Sequence, residues 1–366
     1  MNTLLNTNIS PADYTIGEIV SKYADDPLAL DGISKIFNVT NYVDADGLIN
    51  LIYRNCVGNK SSLLSPGVMS NPPDRFDGFH SDGLCCREKT DKGRHTDNMK
   101  SYGQDRRAYE EWAEGDYNLA NRIMAEFNKC DTKYICPACK RLRKMSADHI
   151  GPISIGFCHS IHNFAPMCSS CNSRKNNRFT KGDVDKLIQI EAGGKKVISW
   201  HSEYLWNRLK YGITNDDDAK RLSSVMGAHH QNVLKLFSLI YDCTGEEFLK
   251  RYLNPGYSMF DYKFENFNPL DLSSIKIKKR GLNSVNKTKN SQRVLRVAFE
   301  SLQEFDKKCN RRTQFYVDSS SVGYQAIIAH IANNDFVAAD KMLRNYIAEL
   351  AQTIIDKEWS EKSKAD

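Results

Sequence analysis

The chain has 366 residues, of which 40% are hydrophobic, and a formal net charge of +6. This length supports a substantial core and favours two or three domains. No run of about 18 apolar residues, the length that spans a bilayer, occurs in the sequence. The first residues also lack the basic and apolar pattern of a secretion signal, and we expect a cytoplasmic protein with no membrane partner.

Charge and cysteine are both unevenly distributed along the chain. Lysine and arginine occur in clusters, which are typical of surfaces that bind phosphates. Four of the 11 cysteines form two C-x-x-C pairs, whereas the other seven are scattered. This pattern favours a metal site in a reducing compartment over a disulfide framework. Nucleic acid is therefore a candidate partner.

The first 130 residues contain helical patterns on either side of a loop-rich stretch. Ser10 and Pro11 are typical of a helix start, and the apolar residues that follow at helical spacing predict a helix there. Residues 70–100 are rich in Gly, Pro, Asp and charge, which predicts a long loop or linker and a domain boundary. Apolar spacing over residues 109–130 predicts another helix.

Helical patterns also dominate the chain after residue 178. Thr180 and Asp183 form a capping-box variant and predict a helix directly after them. Apolar residues at helical spacing predict three more helices, around residues 205–209, 222–240 and 336–354. The fold should therefore be mainly α.

Between these helical parts lie the two C-x-x-C pairs. The pairs are Cys136 with Cys139 and Cys168 with Cys171. Four thiolates can hold one tetrahedral zinc at about 2.3 Å, and such a site can contribute on the order of 10 kcal/mol to folding. Chance pairing of buried cysteines is the alternative. Because the gap between the pairs is long, we expect a small folded unit inside it.

The residues within and just after that gap resemble the HNH nuclease family. The matching positions are Asp148-His149, then Asn163-Phe164, then Cys171-Asn172 with Lys175 after it. The resemblance covers about 45 residues, 134–178. It implies a ββα-metal (HNH) module, stabilised by zinc and inserted in a mainly α, multi-domain α+β chain.

The resemblance also implies a role for each residue in phosphodiester hydrolysis. His149 would be the general base, because imidazole titrates near neutral pH and can take a proton from water. Asp148 and Asn172 would offer the oxygen ligands that Mg²⁺ or Mn²⁺ prefers. Asn163 would brace the hairpin and orient His149.

Basic and amide residues follow these positions. Arg174, Lys175, Asn176 and Arg178 are candidates for contacts with DNA phosphates, and a solvated basic face is the alternative. Three further residues in the hairpin, Cys158, His159 and His162, do not match the family pattern, and we interpret them as loop or packing residues.

Base-specific contacts require a second region, because an HNH unit reads few base edges. Residues 273–296 combine basic and amide side chains, including Lys278, Lys279 and Arg280, and predict a DNA-contacting loop and helix start. A flexible basic linker is the alternative. Residues 87–107 are a weaker candidate.

The layout resembles an HNH-type type II restriction endonuclease, and is similar to type IIS members. The expected domains are 1–100, helical and loop-rich with a possible DNA-reading role; 101–195, the zinc-stabilised nuclease; and 196–366, helical, for DNA recognition or dimerisation. The implied partner is double-stranded DNA, cut by a homodimer or by sequential nicking, with no guide RNA. The alternatives are a phage or mobile-element homing or nicking HNH enzyme and a non-catalytic zinc-stabilised DNA-binding protein.

Overall fold

The computed structural model describes residues 15–56, 65–66, 79–80, 106–272, 275–282, 284–305 and 313–360. These residues are mostly helical, with small sheets. Contacts divide the chain into two compact units. The first comprises residues 1–99, 259–261 and 280–289, and the second comprises 100–258, 262–279 and 290–366.

Over residues 15–56 the first unit has three helices around a small apolar core. They are α1 (Ile16–Lys22), α2 (Pro27–Ile36) and α3 (Ala45–Cys56). Thr15 caps α1 in a capping box with Glu18, so the described helix begins at Ile16. The expected start at Ser10 and Pro11, and most of the predicted loop 70–100, lie outside the described residues. Two short strands, β1 (Ser65–Pro66) and β2 (Phe79–His80), pair antiparallel.

The second unit begins with two helices, not with the single helix predicted over residues 109–130. They are α4 (Arg106–Glu111) and α5 (Tyr117–Lys129). Gly115 interrupts the helical path at φ +104°, a conformation that glycine adopts readily. Asp116 then starts α5 by accepting a hydrogen bond from the Leu119 backbone at 2.8 Å.

A three-stranded antiparallel sheet follows. It is built from β3 (Lys133–Ile135), β4 (Leu142–His149) and β5 (Phe164–Cys168), with β4 in the centre. Helix α6 (Ser169–Lys175) begins immediately after β5. Short 3₁₀ turns at Ile153–Ile155 and Ile161–Asn163 lie in the connection between β4 and β5.

The described residues after α6 form helices, the loops between them and one pair of strands. The helices and strands are α7 (Lys181–Ala192), α8 (Glu203–Leu209), α9 (Asp216–Asp242), α10 (Glu246–Leu249), β6 (Phe260–Glu265), β7 (Lys276–Gly281), α11 (Ser284–Gln303), α12 (Val322–Ala332) and α13 (Phe336–Ile354). One π-helical turn, Ile355–Ser360, ends the described chain. Residues 260–261 of β6, 280–281 of β7 and 284–289 of α11 belong to the first unit, and the rest of these three elements belongs to the second.

Several sequence predictions for this part are confirmed. Thr180 and Asp183 form the predicted capping box at the start of α7. The apolar patterns at 205–209, 222–240 and 336–354 lie in α8, α9 and α13. Of the loop and helix start predicted over 273–296, the helix start is confirmed, because α11 begins at Ser284, whereas the loop was wrong, because Lys276–Gly281 form strand β7.

The core next to the site draws on distant parts of the chain. Ile150 and Phe157 from the hairpin pack with Trp206 from α8 and with Leu350 and Ile354 from α13. Residues before and after position 195, the predicted end of the nuclease domain, therefore share one apolar cluster. Packing in this cluster fixes the position of the hairpin. No helix in the described part of the chain is long and apolar enough to cross a membrane.

Candidate active site and cysteine cluster

The site is built on β4, β5 and α6. His149 pairs with Phe164 and Asp148 pairs with Ala165 across the antiparallel strands. Because α6 starts where β5 ends, its first turns lie beside β4. The side-chain Nδ2 of Asn172, on α6, donates to the backbone oxygen of Ala147 at 2.9 Å. The hairpin and helix thus bring Asp148, His149 and Asn172 into one cleft.

Asn163 fixes the backbone that follows His149. Its side chain is fully buried. Oδ1 accepts from the Gly151 amide at 2.8 Å, and Nδ2 donates to the oxygens of Gly151 at 2.8 Å and Cys158 at 3.2 Å. Its backbone oxygen accepts from the Ile150 amide at 2.9 Å. These bonds close the connection between β4 and β5 and leave the amide side chain fully satisfied.

Asp148 forms a buried ion pair with Lys175. The distance between Lys175 Nζ and Asp148 Oδ2 is 2.6 Å, and the two side chains are 7% and 4% exposed. The ammonium also donates to the backbone oxygens of His149 at 2.9 Å and Ile150 at 3.1 Å. Burial raises the pKa of Asp148, and the charge and hydrogen bond of Lys175 oppose that rise.

The position of Lys175 differs from the expectation that it contacts DNA phosphates. Its three donor directions are used by a carboxylate and two carbonyl groups inside the protein. The reason is the orientation of α6, whose buried side faces the end of β4. In this arrangement Lys175 holds Asp148 in place, and its ammonium group is buried among these partners.

The cleft has a volume of about 820 Å³ and contains two imidazoles. The ring of His149 packs on Phe164 with centroids 4.3 Å apart, and the His159 ring lies 6.4 Å from it. His159 is buried, and its Nε2 lies 2.9 Å from the backbone oxygen of Glu110. Burial lowers the pKa of His159, so this ring stays neutral at ordinary pH.

The far wall of the cleft comes from α4 and α5, which the sequence analysis did not assign to the site. Tyr109, Glu110 and Tyr117 line it, and the Tyr117 hydroxyl donates to Glu110 Oε2 at 3.0 Å. The backbones of Gly115 and His159 approach so closely that a side chain at Gly115 would collide with the His159 oxygen. No spacing in the sequence signals this packing, because it joins segments more than 40 residues apart.

The four cysteines of the two C-x-x-C pairs come together, as the spacing predicts. The sulfur atoms of Cys136, Cys139, Cys168 and Cys171 lie within 4.8 Å of one another. The backbone amide of Cys168 donates to Cys136 Sγ at 3.5 Å. Burial disfavours the Cys136 thiolate, but backbone hydrogen bonds outweigh burial and lower its pKa to about 6.

The opposite shift occurs at Cys171. Hydrogen bonds with the neighbouring thiols, above all Cys168, together with burial raise its pKa to about 12. Four sulfurs this close cannot all be thiolates without a cation between them. The donor set and its compactness therefore fit a tetrahedral zinc, for which four thiolates are a common ligand set.

The other predicted DNA contacts near the site are exposed. Arg174 lies on the surface of α6, and Asn176 lines the cleft. Asn176 ends α6 at φ 52° and ψ −133°, a conformation rare for residues with a side chain. Arg178 lies on a second cleft, described below.

The basic residues of β7 have acidic neighbours within their own units. Lys278 pairs with Glu265 at 2.5 Å, and Arg280 pairs with Glu18. Lys279 is exposed. Asn290 donates to the backbone oxygen of Ser258 at 3.2 Å. Asn283, another amide residue of the predicted segment 273–296, and the side chains of residues 87–107 lie outside the described residues.

Comparison with curated proteins and with solved structures finds no match. The family model described as Type II restriction endonuclease (RE_Alw26IDE) matches residues 33–365, which include the hairpin, the cysteine cluster and all the helices from α4 to α13. The chain therefore belongs to this family of type II restriction endonucleases.

Proposed function

We propose that this restriction endonuclease hydrolyses double-stranded DNA in the cleft of Asp148, His149 and Asn172 by a one-metal HNH mechanism. The observation that carries the proposal is the meeting of a carboxylate, an imidazole and an amide in one cleft on a strand–strand–helix unit. These are the side chains that a single-cation phosphodiesterase needs.

Two oxygen atoms fit a hard divalent cation. Asp148 uses Oδ2 for Lys175, which leaves Oδ1 as a ligand. Asn172 donates from Nδ2 to the Ala147 backbone oxygen and to the Ser146 hydroxyl, so its Oδ1 is proposed as the second ligand. One carboxylate and one amide oxygen suit Mg²⁺ or Mn²⁺ and leave positions for phosphate and water. A cation bound there would neutralise charge that builds on the phosphate.

The protein's own part of the reaction is proton transfer and positioning. His149 takes a proton from the attacking water on its imidazole. Asn163 holds the backbone directly after His149, and Phe164 supports the ring. Asn163 and Phe164 together therefore keep His149 at a fixed position on the cleft wall.

In the same proposal the four cysteines hold a structural Zn²⁺. Cys136, Cys168 and Cys171 also belong to the apolar cluster that contains Phe127 of α5 and Met145 of β4. Metal binding would thus stabilise the sheet, α6 and α5 together.

The proposed substrate is duplex DNA, and two strands must be cut, by a homodimer or in two successive steps. Exposed Arg174 and Arg178, with Asn176, are proposed phosphate contacts near the cut. Lys278, Lys279 and Arg280 on β7 are proposed contacts for recognition, although two of them are paired with carboxylates in the described structure.

Digestion of a plasmid library with Mg²⁺ or Mn²⁺, followed by sequencing of the ends, tests the proposal. We expect cuts in both strands at defined positions. His149→Ala should reduce the cleavage rate by at least about 10²-fold and keep DNA affinity. His162→Ala, at an exposed histidine of the same connection, is the matched control and should cut normally.

Other outcomes would select the alternatives. Cuts in one strand only would favour a homing or nicking enzyme. Binding without any cutting under both metals would favour a non-catalytic DNA-binding protein. Near-normal cutting by His149→Ala would move the general base elsewhere, with His159 and His162 next to be tested.

A further inference from the structure

A second cleft adjoins the catalytic one. It has a volume of about 860 Å³, and Asn177 lines both clefts, so they meet at the end of α6. We call it the basic cleft. Its lining residues are Ile155, Asn177, Arg178, Lys220, Ser223, Ser224, Gly227, Ala228, Thr313, Gln314, Tyr316, Lys357 and Glu358.

The lining of the basic cleft carries an excess of positive charge. Arg178, Lys220 and Lys357 are exposed cations. Glu358 is the single carboxylate among the lining residues that the structure describes, and its Oε1 accepts from the Tyr316 hydroxyl at 3.3 Å. A polyanion is therefore the ligand that the charges favour.

The floor and walls favour a phosphate backbone over a small molecule. Small residues of α9 form the floor, and a Cβ at Gly227 would meet only Ile155, at 3.5 Å. Ser224, Thr313 and Gln314 add hydrogen-bonding groups. Small-molecule pockets are mainly apolar and enclosed, whereas this cleft is open, is about half polar and has its cations at the surface, as in sites that bind DNA phosphates.

Lys357 lies on a wall that is held in place. It belongs to the π-helical turn Ile355–Ser360, and such turns are rare and occur often at functional sites. The Arg221 guanidinium stacks over the Trp359 ring at 4.6 Å and donates to the Trp359 backbone oxygen. The turn is thereby attached to α9, the helix that carries Lys220.

We propose that the basic cleft binds the phosphate backbone of the DNA that continues from the cut bond, through Lys220 and Lys357. The proposal rests on the nuclease function proposed above. A strand whose phosphate lies at Asp148 and His149 can pass Asn177, the residue common to both clefts, and enter the basic cleft. Neither lysine has a part in the chemistry, so the cleft contributes affinity and register.

The test uses the full chain with His149→Ala, which prevents cutting, and a duplex fragment that carries a mapped cleavage site. Affinity is measured across a range of salt concentrations. Each phosphate contact changes the slope of log affinity against log salt by about 0.9. Lys220→Gln with Lys357→Gln should therefore flatten the slope by about 1.8, and each single change by about half of that.

Lys341→Gln is the matched control, because Lys341 is an exposed lysine of α13 that lines neither cleft. Its slope should equal that of the parent. Duplexes with single neutral methylphosphonates give a second readout. A methylphosphonate at certain positions on one side of the cut should weaken binding to the His149→Ala parent. The same methylphosphonates should not weaken binding to the parent that also carries Lys220→Gln.

The two proposals fail in different ways. If wild-type protein cuts DNA and the lysine variants keep the parent slope and the parent methylphosphonate pattern, the basic cleft does not bind the backbone and the nuclease function stands. If the wild-type protein neither cuts nor binds the duplex, both proposals are overturned.

Discussion

Lys175 and Asp148 form an ion pair inside the protein, with Nζ and Oδ2 2.6 Å apart and both side chains less than a tenth exposed. Removing one partner of a buried pair leaves the other charge unpaired, which costs about 3–5 kcal/mol. We predict a loss of that size in the free energy of unfolding for Lys175→Met, measured by urea denaturation.

Arg174→Gln is the control for this prediction, since Arg174 is the exposed neighbour on α6. It should change the free energy of unfolding by less than about 0.5 kcal/mol. A Lys175→Met variant that keeps wild-type stability and instead flattens the salt dependence of DNA binding would show that Lys175 contacts phosphate.

The cysteine cluster should control both metal content and stability. We expect about one zinc per chain that survives mild chelation, with activity depending on added Mg²⁺ or Mn²⁺. Cys136→Ser and Cys171→Ser should each lose zinc and unfold the site, because a structural zinc would contribute on the order of 10 kcal/mol. Elemental analysis and thermal unfolding measure both effects.

Cys158→Ser is the matched control for the cluster. Cys158 is also buried, but its sulfur bonds to the Lys196 oxygen at 3.6 Å and is not one of the four clustered sulfurs. It should keep its zinc and most of its stability. A folded and active Cys136→Ser protein without zinc would refute the four-cysteine assignment.

Three buried histidines should make the fold sensitive to acid. Burial lowers the pKa of His201 to about 4 and that of His229 to about 3, and it also lowers the pKa of His230 well below its usual value. All three are at most 1% exposed. The folded state keeps them neutral, whereas the unfolded chain protonates them near pH 6.5.

Stability from these histidines is therefore present above about pH 6.5 and is lost as the pH falls towards 4. Each contributes a slope of about 1.4 kcal/mol per pH unit in that window. His230→Leu should reduce the measured slope by that amount, whereas His330→Gln, at a side chain that is 34% exposed, should not. Equal slopes in the wild type and His230→Leu would contradict the prediction.

The basic residues of β7 offer a separate prediction about DNA recognition. Joint replacement of Lys278, Lys279 and Arg280 by Gln should weaken DNA binding and flatten its salt dependence, by about one unit for each phosphate contact that is lost. A strand that only pairs with its acidic neighbours would show no change. Cleavage-site profiles of the variant would then show whether base preference also depends on β7.

The features that the sequence predicts well are local. The capping box of Thr180 and Asp183 needs only the reach of a side chain across three residues, and each C-x-x-C pair needs only one turn. The partner of Lys175 could not be predicted, because it depends on which side of α6 faces β4. Strand β7 was also missed, since its sequence, KIKKRG, lacks alternating apolar residues.

The cleft wall formed by Glu110 and Tyr117 was missed for a different reason. It depends on the close backbone contact between Gly115 and His159, which brings α4 and α5 against the hairpin. Such contacts arise from packing between distant segments, and a single sequence has no periodic pattern that encodes them.

Asn176 keeps a costly backbone conformation at the place where α6 ends. A residue with a side chain at φ 52° and ψ −133° carries strain of order 1–3 kcal/mol, which glycine would relieve. Replacing Asn176 by glycine would thus give an enzyme that is more stable but lacks the amide side chain that lines the cleft. If Asn176 binds phosphate as proposed, this substitution would raise thermal stability and weaken DNA binding together.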